Sequence, residues 1–199
     1  MITNEYILKS PDEDHRFIPQ EAQLTAEYIG LDKKASMRMR LLAEEMICML
    51  PQMLSYGMGR FWIETSEDSF DLHLNVKIDK SRNYDVNRIL SVSKDGKNAA
   101  ARGIIGKIAV AVESMLGNNE NVAASDSYGV WSRGLADYDE DTIWSLEAYK
   151  DAFSSFEAKQ SYSEDWDELE KSIIANIADD VRVGVLGGKI DIVVVKKLR

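Results

Sequence analysis

The stretch "RFWIETSEDSFDLHLNVKID", residues 60–79, carries the clearest strand pattern in the sequence. From Phe70 to Asp79 apolar residues alternate with polar ones, and this period of two predicts a strand with one buried and one solvated face. Residues 60–66 are rich in aromatic and β-branched residues, and only the dipeptide "ED" separates them from the second strand. The stretch is therefore predicted to form an antiparallel β-hairpin.

Helix and strand patterns continue on both sides of this hairpin. Residues 33–56 carry apolar side chains at steps of three and four, which is typical of a helix with one apolar stripe. Further helices are predicted within residues 99–116 and 163–180, and two β-branched runs around "GG" at 187–188 predict a closing hairpin. This order indicates an α+β fold, namely a two-layer sandwich in which a mixed, mostly antiparallel sheet has helices on one face.

The length and composition are those of one ordinary globular domain. A chain of 199 residues predicts a single domain over residues 1–199. Cys48 is the only cysteine, so an intrachain disulfide and a cysteine metal cluster are excluded. The first residues have no signal-peptide pattern and no apolar run is long enough to cross a bilayer, so we expect a cytoplasmic protein without a membrane association.

The negative charge of the protein is concentrated in one segment. The net charge is -10, and residues 137–170 alone contain twelve acidic residues and two lysines, which also gives 2 - 12 = -10. Nucleic acid is an unsuitable partner, because phosphate contacts need clustered lysine and arginine. The acidic segment can attract a basic protein partner. The alternative is that it is only a solvated face.

Glu45 is the candidate catalytic residue. It lies beside the apolar stripe of the predicted helix 33–56, where burial would raise the pKa of its carboxyl and allow it to act as a general base. The alternative is a hydrated helix-edge glutamate paired with Arg38 or Arg40. His73 lies on the polar side of the predicted strand, and we expect it to be solvated.

Two glycines at the start of the helix 99–116 are candidate ligand-binding positions. Gly103 and Gly106 lie in "RGIIGK", where a missing side chain permits close approach of a phosphate to the helix N-terminus. The alternative is close packing of this helix against the sheet.

The order of these motifs resembles the GHKL superfamily, the histidine-kinase-like ATPase fold, and within it the small anti-sigma-factor kinases. "LLAEEMICML" resembles the helix that carries the E-x-x-x-N box of the family, and residues 60–79 resemble its strand pair. "KDGKNAAARGIIGKIAVAVESML" resembles the lid and the glycine-opened helix, and "KIDIVVVKK" resembles the last strand. The resemblance covers about residues 20–117 and 180–197, and it implies that the acidic region of about 118–165 is an insertion.

The resemblance implies a role for each matching residue. Glu45 falls at the position of the general base, Asp79 at that of the aspartate that contacts adenine, and Gly103 and Gly106 near the glycines around the phosphates. ATP is thus the implied cofactor. Magnesium is not implied, because the box asparagine that holds it is Met49 here, and a thioether is a poor ligand for a hard cation. No glycine follows Asp79, in contrast to the family pattern.

Three functions are compatible with these features. The first is a GHKL-like domain whose degenerate nucleotide site makes it a protein-interaction or regulatory module without turnover. The second is an ATP-binding protein of the anti-sigma kinase type that uses Glu45 as its base. The third is an unrelated α+β scaffold that binds a basic partner through its acidic region.

Overall fold

The architecture is taken from a computed structural model. It describes residues 1–9, 15–53, 57–78, 107–108, 111–112, 115, 143–152, 172–186 and 188–198.

One six-stranded sheet organises the described residues, with the strand order β1-β2-β3-β6-β5-β4 and antiparallel pairing between all neighbours. Its strands are β1 (Tyr6–Leu8), β2 (Gly57–Thr65), β3 (Ser69–Ile78), β4 (Trp144–Ser145), β5 (Asp180–Leu186) and β6 (Lys189–Lys197). The helices with described bounds are α1 (Phe17–Tyr28), α2 (Lys33–Met53), α3 (Leu146–Ala152) and α4 (Ile173–Ile177).

A single apolar core lies between the helices and one face of the sheet. Met39, Leu42, Met46 and Leu50 of the predicted stripe are buried. The helix continues two residues beyond Pro51 to Met53. The described residues at 107, 108, 111, 112 and 115 are helical, which agrees with the helix predicted over 99–116. The core contains side chains from both layers, among them Ile18, Leu42, Met46, Phe61, Leu72, Leu74, Val76, Ile108, Val112, Ile174, Val183 and Ile192. The α+β class and the helix-on-sheet layering are confirmed.

Both predicted hairpins are present. In the first, Thr65 of β2 faces Phe70 of β3, and the hydroxyl oxygen of Ser66 accepts hydrogen bonds from the backbone amides of Asp68 and Ser69 at 3.1 and 2.9 Å. In the second, Gly188 has a φ of 76°, a conformation that glycine adopts without steric cost. The turn residues of the sequence therefore identified both connections correctly.

The expectation of a solvated second face on β3 is wrong. His73 is 8% exposed and Asn75 is 0% exposed, although both lie on the polar side of the strand. Alternation along a strand shows which side chains share a face. It does not show whether that face is covered, and here the centre of the polar face is buried.

Part of the acidic region contributes to the sheet. Strand β4 pairs with β5, and the Trp144 ring lies 6.0 Å from the ring of Tyr149. Asp180 anchors this segment by accepting hydrogen bonds from the Ser145 hydroxyl at 3.1 Å and the Glu147 amide at 3.0 Å. Residues 144–152 are thus an edge strand and a helix joined to the core.

No helix within the described ranges is long and apolar enough to cross a membrane.

Candidate functional site

The paired carboxylates of α2 occupy different environments. The Glu44 carboxylate accepts a hydrogen bond from Arg40 Nε at 3.0 Å, and its side chain is 45% exposed. Glu45 is half-buried, and within the described part of the chain its carboxylate has no hydrogen bond or ion pair. Arg40 thus pairs with Glu44, so the proposed alternative of a pair between Arg40 and Glu45 is not what the structure contains.

Desolvation makes the Glu45 carboxylate more basic than an ordinary glutamate. Burial raises the pKa of the Glu45 carboxyl, and the negative charge of Glu44 raises it further. A carboxylate with a raised pKa accepts a proton more readily at neutral pH, which is the property required of a general base. The prediction that Glu45 lies at the edge of the core agrees with this environment.

The neighbouring thiol is not an activated nucleophile. Burial raises the pKa of Cys48, and the charges of Glu45 and Glu44 raise it further. The reactive form of cysteine is the thiolate, and lowering its pKa requires nearby positive charge. Cysteine chemistry is therefore disfavoured at this position.

The other predicted site residues lie outside the described residues. Asp79 is the residue after the last position of β3, and Gly103 and Gly106 precede the helical residues at 107 and 108. Their proximity to Glu45 stays a prediction. Met49 lies one helical turn beyond Glu45 on α2, so the residue at the box position has a thioether and no oxygen ligand.

The structure reveals a polar cluster that the sequence did not predict, on the second face of the sheet. We call Trp62, His73, Asn75 and Asp191 the buried polar row, because all four lie in the middle of that face and are no more than 8% exposed. The side chain of Asn75 donates a hydrogen bond to Asp191 Oδ1 at 2.6 Å and so joins the central strands β3 and β6.

His73 is held in its neutral form. Its ring is stacked on the Trp62 indole with the centroids 4.7 Å apart and the planes 8° from parallel. Burial lowers the pKa of His73 to about 4, and within the described residues neither ring nitrogen has a hydrogen bond. Glu64 Oε2 lies 3.8 Å from Nε2.

One feature of the sequence could have revealed the buried polar row. Asp191 is an isolated acid within the β-branched run "KIDIVVV", and such a residue needs a polar partner when it is buried. The partner, Asn75, is a residue that the alternation had assigned to solvent. No group of three or more histidine, cysteine or acidic side chains suitable for a metal ion is found among the described residues.

Comparisons with protein-family models, with curated proteins and with solved structures give no match for this chain.

Proposed function

We propose that the protein is a GHKL-like regulatory module that acts by binding a protein partner and does not transfer phosphate. The observation that carries this proposal is the environment of Glu45, a desolvated carboxylate with a raised pKa one turn before Met49 on the helix that packs on the sheet. Under the resemblance, this helix has an acid at the position of the family base and, at the box position, a thioether that is a poor ligand for magnesium.

The shape of the described domain supports the proposal. A long helix with the box-like sequence precedes an antiparallel strand pair, and the C-terminal strand β6 pairs directly with β3. These are the elements that carry the resemblance in the sequence. They support a relationship in fold, while function depends on the residues of the site.

Loss of phosphoryl transfer follows from the chemistry of the missing ligand. Phosphoryl transfer depends on positioning and on neutralisation of the phosphate charge by metal ions. Met49 offers a soft sulfur where a hard cation needs oxygen, so a bound nucleotide would lack this charge neutralisation. A base at Glu45 cannot replace it, because proton abstraction and charge neutralisation are separate requirements.

Release of phosphate from ATP tests this proposal. The native protein is expected to release no more phosphate in the presence of magnesium than the Glu45→Gln variant, which retains the shape but not the base. Met49→Asn restores the oxygen ligand and is the matched gain-of-function variant. Magnesium-dependent turnover that is present in the native protein and lost in Glu45→Gln would overturn the proposal in favour of an active kinase or ATPase.

A thermal-shift titration separates nucleotide binding from turnover. A ligand that binds the native state raises the melting temperature by mass action. ATP and ADP are compared with and without magnesium, and Met49→Asn should make the shift more dependent on magnesium. Absence of any shift at millimolar nucleotide would remove nucleotide from the proposal and leave only the partner-binding function.

The acidic segment 137–170 is the proposed contact for a basic partner. Its described part, residues 143–152, includes Trp144 and Tyr149, which pack against the core and so are not free contact residues. The remaining acidic residues lie mainly in two clusters: residues 164–170, where five of the seven are acidic, and residues 137–141, where four of the five are acidic. Replacing the four acids of residues 137–141 by their amides should weaken binding of a basic partner and reduce the salt dependence of that binding.

A further inference from the structure

A pocket opens between α2 and the C-terminal end of β6, at the end of the sheet where β3 begins. Its volume is about 250 Å³, and it is lined by Leu31, Ala35, Arg38, Met39, Asp179, Lys196, Lys197 and Leu198. Lys197 pairs with Ser69, the first residue of β3, whereas Asp79 follows the last residue of that strand. The pocket therefore lies at the opposite end of β3 from Ile78, its last residue.

The lining combines apolar walls with an excess of positive charge. Leu31, Met39 and Leu198 supply the apolar surface. Of the three cations, Lys196 is neutralised by Asp179, with 2.8 Å between Nζ and Oδ2. The same carboxylate oxygen also accepts the backbone amide of Lys197 at 2.7 Å, so the single acid of the pocket is fully engaged.

Two cations at this pocket have no counterion among the residues that the structure describes. Within the described residues, the side chains of Arg38 and Lys197 take part in no hydrogen bond or ion pair. Both are exposed, so each can move toward a ligand without losing an existing partner. In a protein with a net charge of -10, two uncompensated cations beside apolar walls form a local site of opposite sign.

We propose that this cationic pocket binds a small organic anion, with its carboxylate or phosphate held by Arg38 and Lys197 and its apolar part against Leu31, Met39 and Leu198. Arginine binds both anions through paired N–H donors, and lysine adds a point charge. The volume of about 250 Å³ is below the roughly 300–1,000 Å³ of pockets for drug-sized ligands, so the ligand is smaller than a typical drug. The proposal does not depend on the proposed function.

Three small probes of similar shape test whether the pocket binds a carboxylate or a phosphate in preference to a neutral group. Benzoate and phenyl phosphate carry the two candidate anions on an aromatic ring, and benzamide is the neutral match. Titrations at constant ionic strength are followed by the NMR shifts of the Ala35 and Leu198 backbone amides, which lie at the pocket. Benzoate or phenyl phosphate, or both, should give saturable shifts, and the tighter of the two identifies the preferred anion. Benzamide should bind more weakly than either.

Charge-neutralising variants locate the site. Arg38→Gln and Lys197→Gln should each weaken binding of the anionic probe about tenfold, the loss of one charge-assisted contact. Lys34→Gln is the matched control, because Lys34 lies one turn before Arg38 on α2, is exposed and does not line the pocket. Equal weakening by Lys34→Gln and Arg38→Gln would overturn the proposal in favour of a diffuse surface potential. Saturation by benzamide as tight as by benzoate, or no saturable shift with any anion, would also overturn it.

Discussion

The ring of His73 lies almost parallel to the indole of Trp62, at a centroid distance of 4.7 Å, in the middle of a buried face of the sheet. This stack holds an ionisable group in a place where its charged form is poorly solvated. Burial accordingly lowers its pKa to about 4. A histidine of this kind couples the stability of the domain to pH.

Replacing His73 by phenylalanine should remove a pH dependence of stability. The unfolded chain binds the His73 proton below about pH 6.5, whereas the folded protein binds it only near pH 4. The unfolded state therefore holds more protons in this window, and stability falls as the pH falls from 6.5 to 4. When the pH is lowered from 7 to 5, the free energy of unfolding of the native protein should fall by about 2 kcal/mol more than that of His73→Phe. Urea denaturation at the two pH values measures this difference. Equal losses for the two proteins would contradict this role of His73.

Truncating Asn75 should destabilise the centre of the sheet. Asn75→Ala removes the amide that donates to the buried Asp191 side chain at 2.6 Å, and a buried acceptor that loses a donor costs about 2 kcal/mol. Lys77→Ala, two positions further along β3, is the control and should change the unfolding free energy by no more than about 0.5 kcal/mol. Chemical denaturation measures the free energy of unfolding of both variants. Similar decreases for Asn75→Ala and Lys77→Ala would show that the hydrogen bond contributes little.

Neutralising the two glutamates of α2 should have opposite effects. Because the pKa of Glu45 is raised in the folded state, its ionised form is disfavoured there, and the resulting penalty grows as the pH rises above the unfolded pKa. Glu45→Gln should therefore raise the melting temperature at pH 7 and have a smaller effect at pH 4. Glu44→Gln loses the pair with Arg40 and should lower the melting temperature slightly. A fall in melting temperature for Glu45→Gln at pH 7 would disagree with the desolvated environment.

The turn between β5 and β6 should require glycine at position 188. Gly188 has a φ of 76°, and a side chain added there would meet no atom within 4 Å, so the cost of substitution comes from the backbone alone. Gly188→Ala should lower the unfolding free energy by about 1 kcal/mol. Gly188→Asn should cost less, because asparagine tolerates this conformation better. Equal costs for the two variants would argue against backbone strain as the cause.

Local patterns in the sequence identified the elements of the fold. The alternation along β3, the apolar stripe of α2 and the two glycines before β6 each predicted an element that the structure contains. The antiparallel pairing between β3 and β6 follows from none of these patterns, since strand order depends on contacts between distant segments. The predicted sheet is mixed and mostly antiparallel, and its mixed character is wrong for the described strands, which pair only in the antiparallel sense.

Less of the sites than of the fold could be predicted from the sequence. The raised pKa of Glu45 follows from its place beside the apolar stripe, so it could be predicted from helical spacing. Burial of His73 could not, because a polar strand face appears the same in sequence whether it is solvated or covered. The cationic pocket could not be predicted either, because Arg38 and Lys197 are far apart in the sequence. The register of the sheet and the packing of α2 bring them together.

The hydrogen bond from Asn75 to Asp191 joins positions separated by 116 residues, and this has a consequence for synthesis of the chain on the ribosome. The strands β1, β2 and β3 can pair as soon as Ile78 has emerged. The free edge of β3 must then wait for β6, which begins 189 - 78 = 111 positions after the end of β3. An open edge on a half-finished sheet is prone to pair with other chains, so prematurely terminated chains that lack β6 should aggregate.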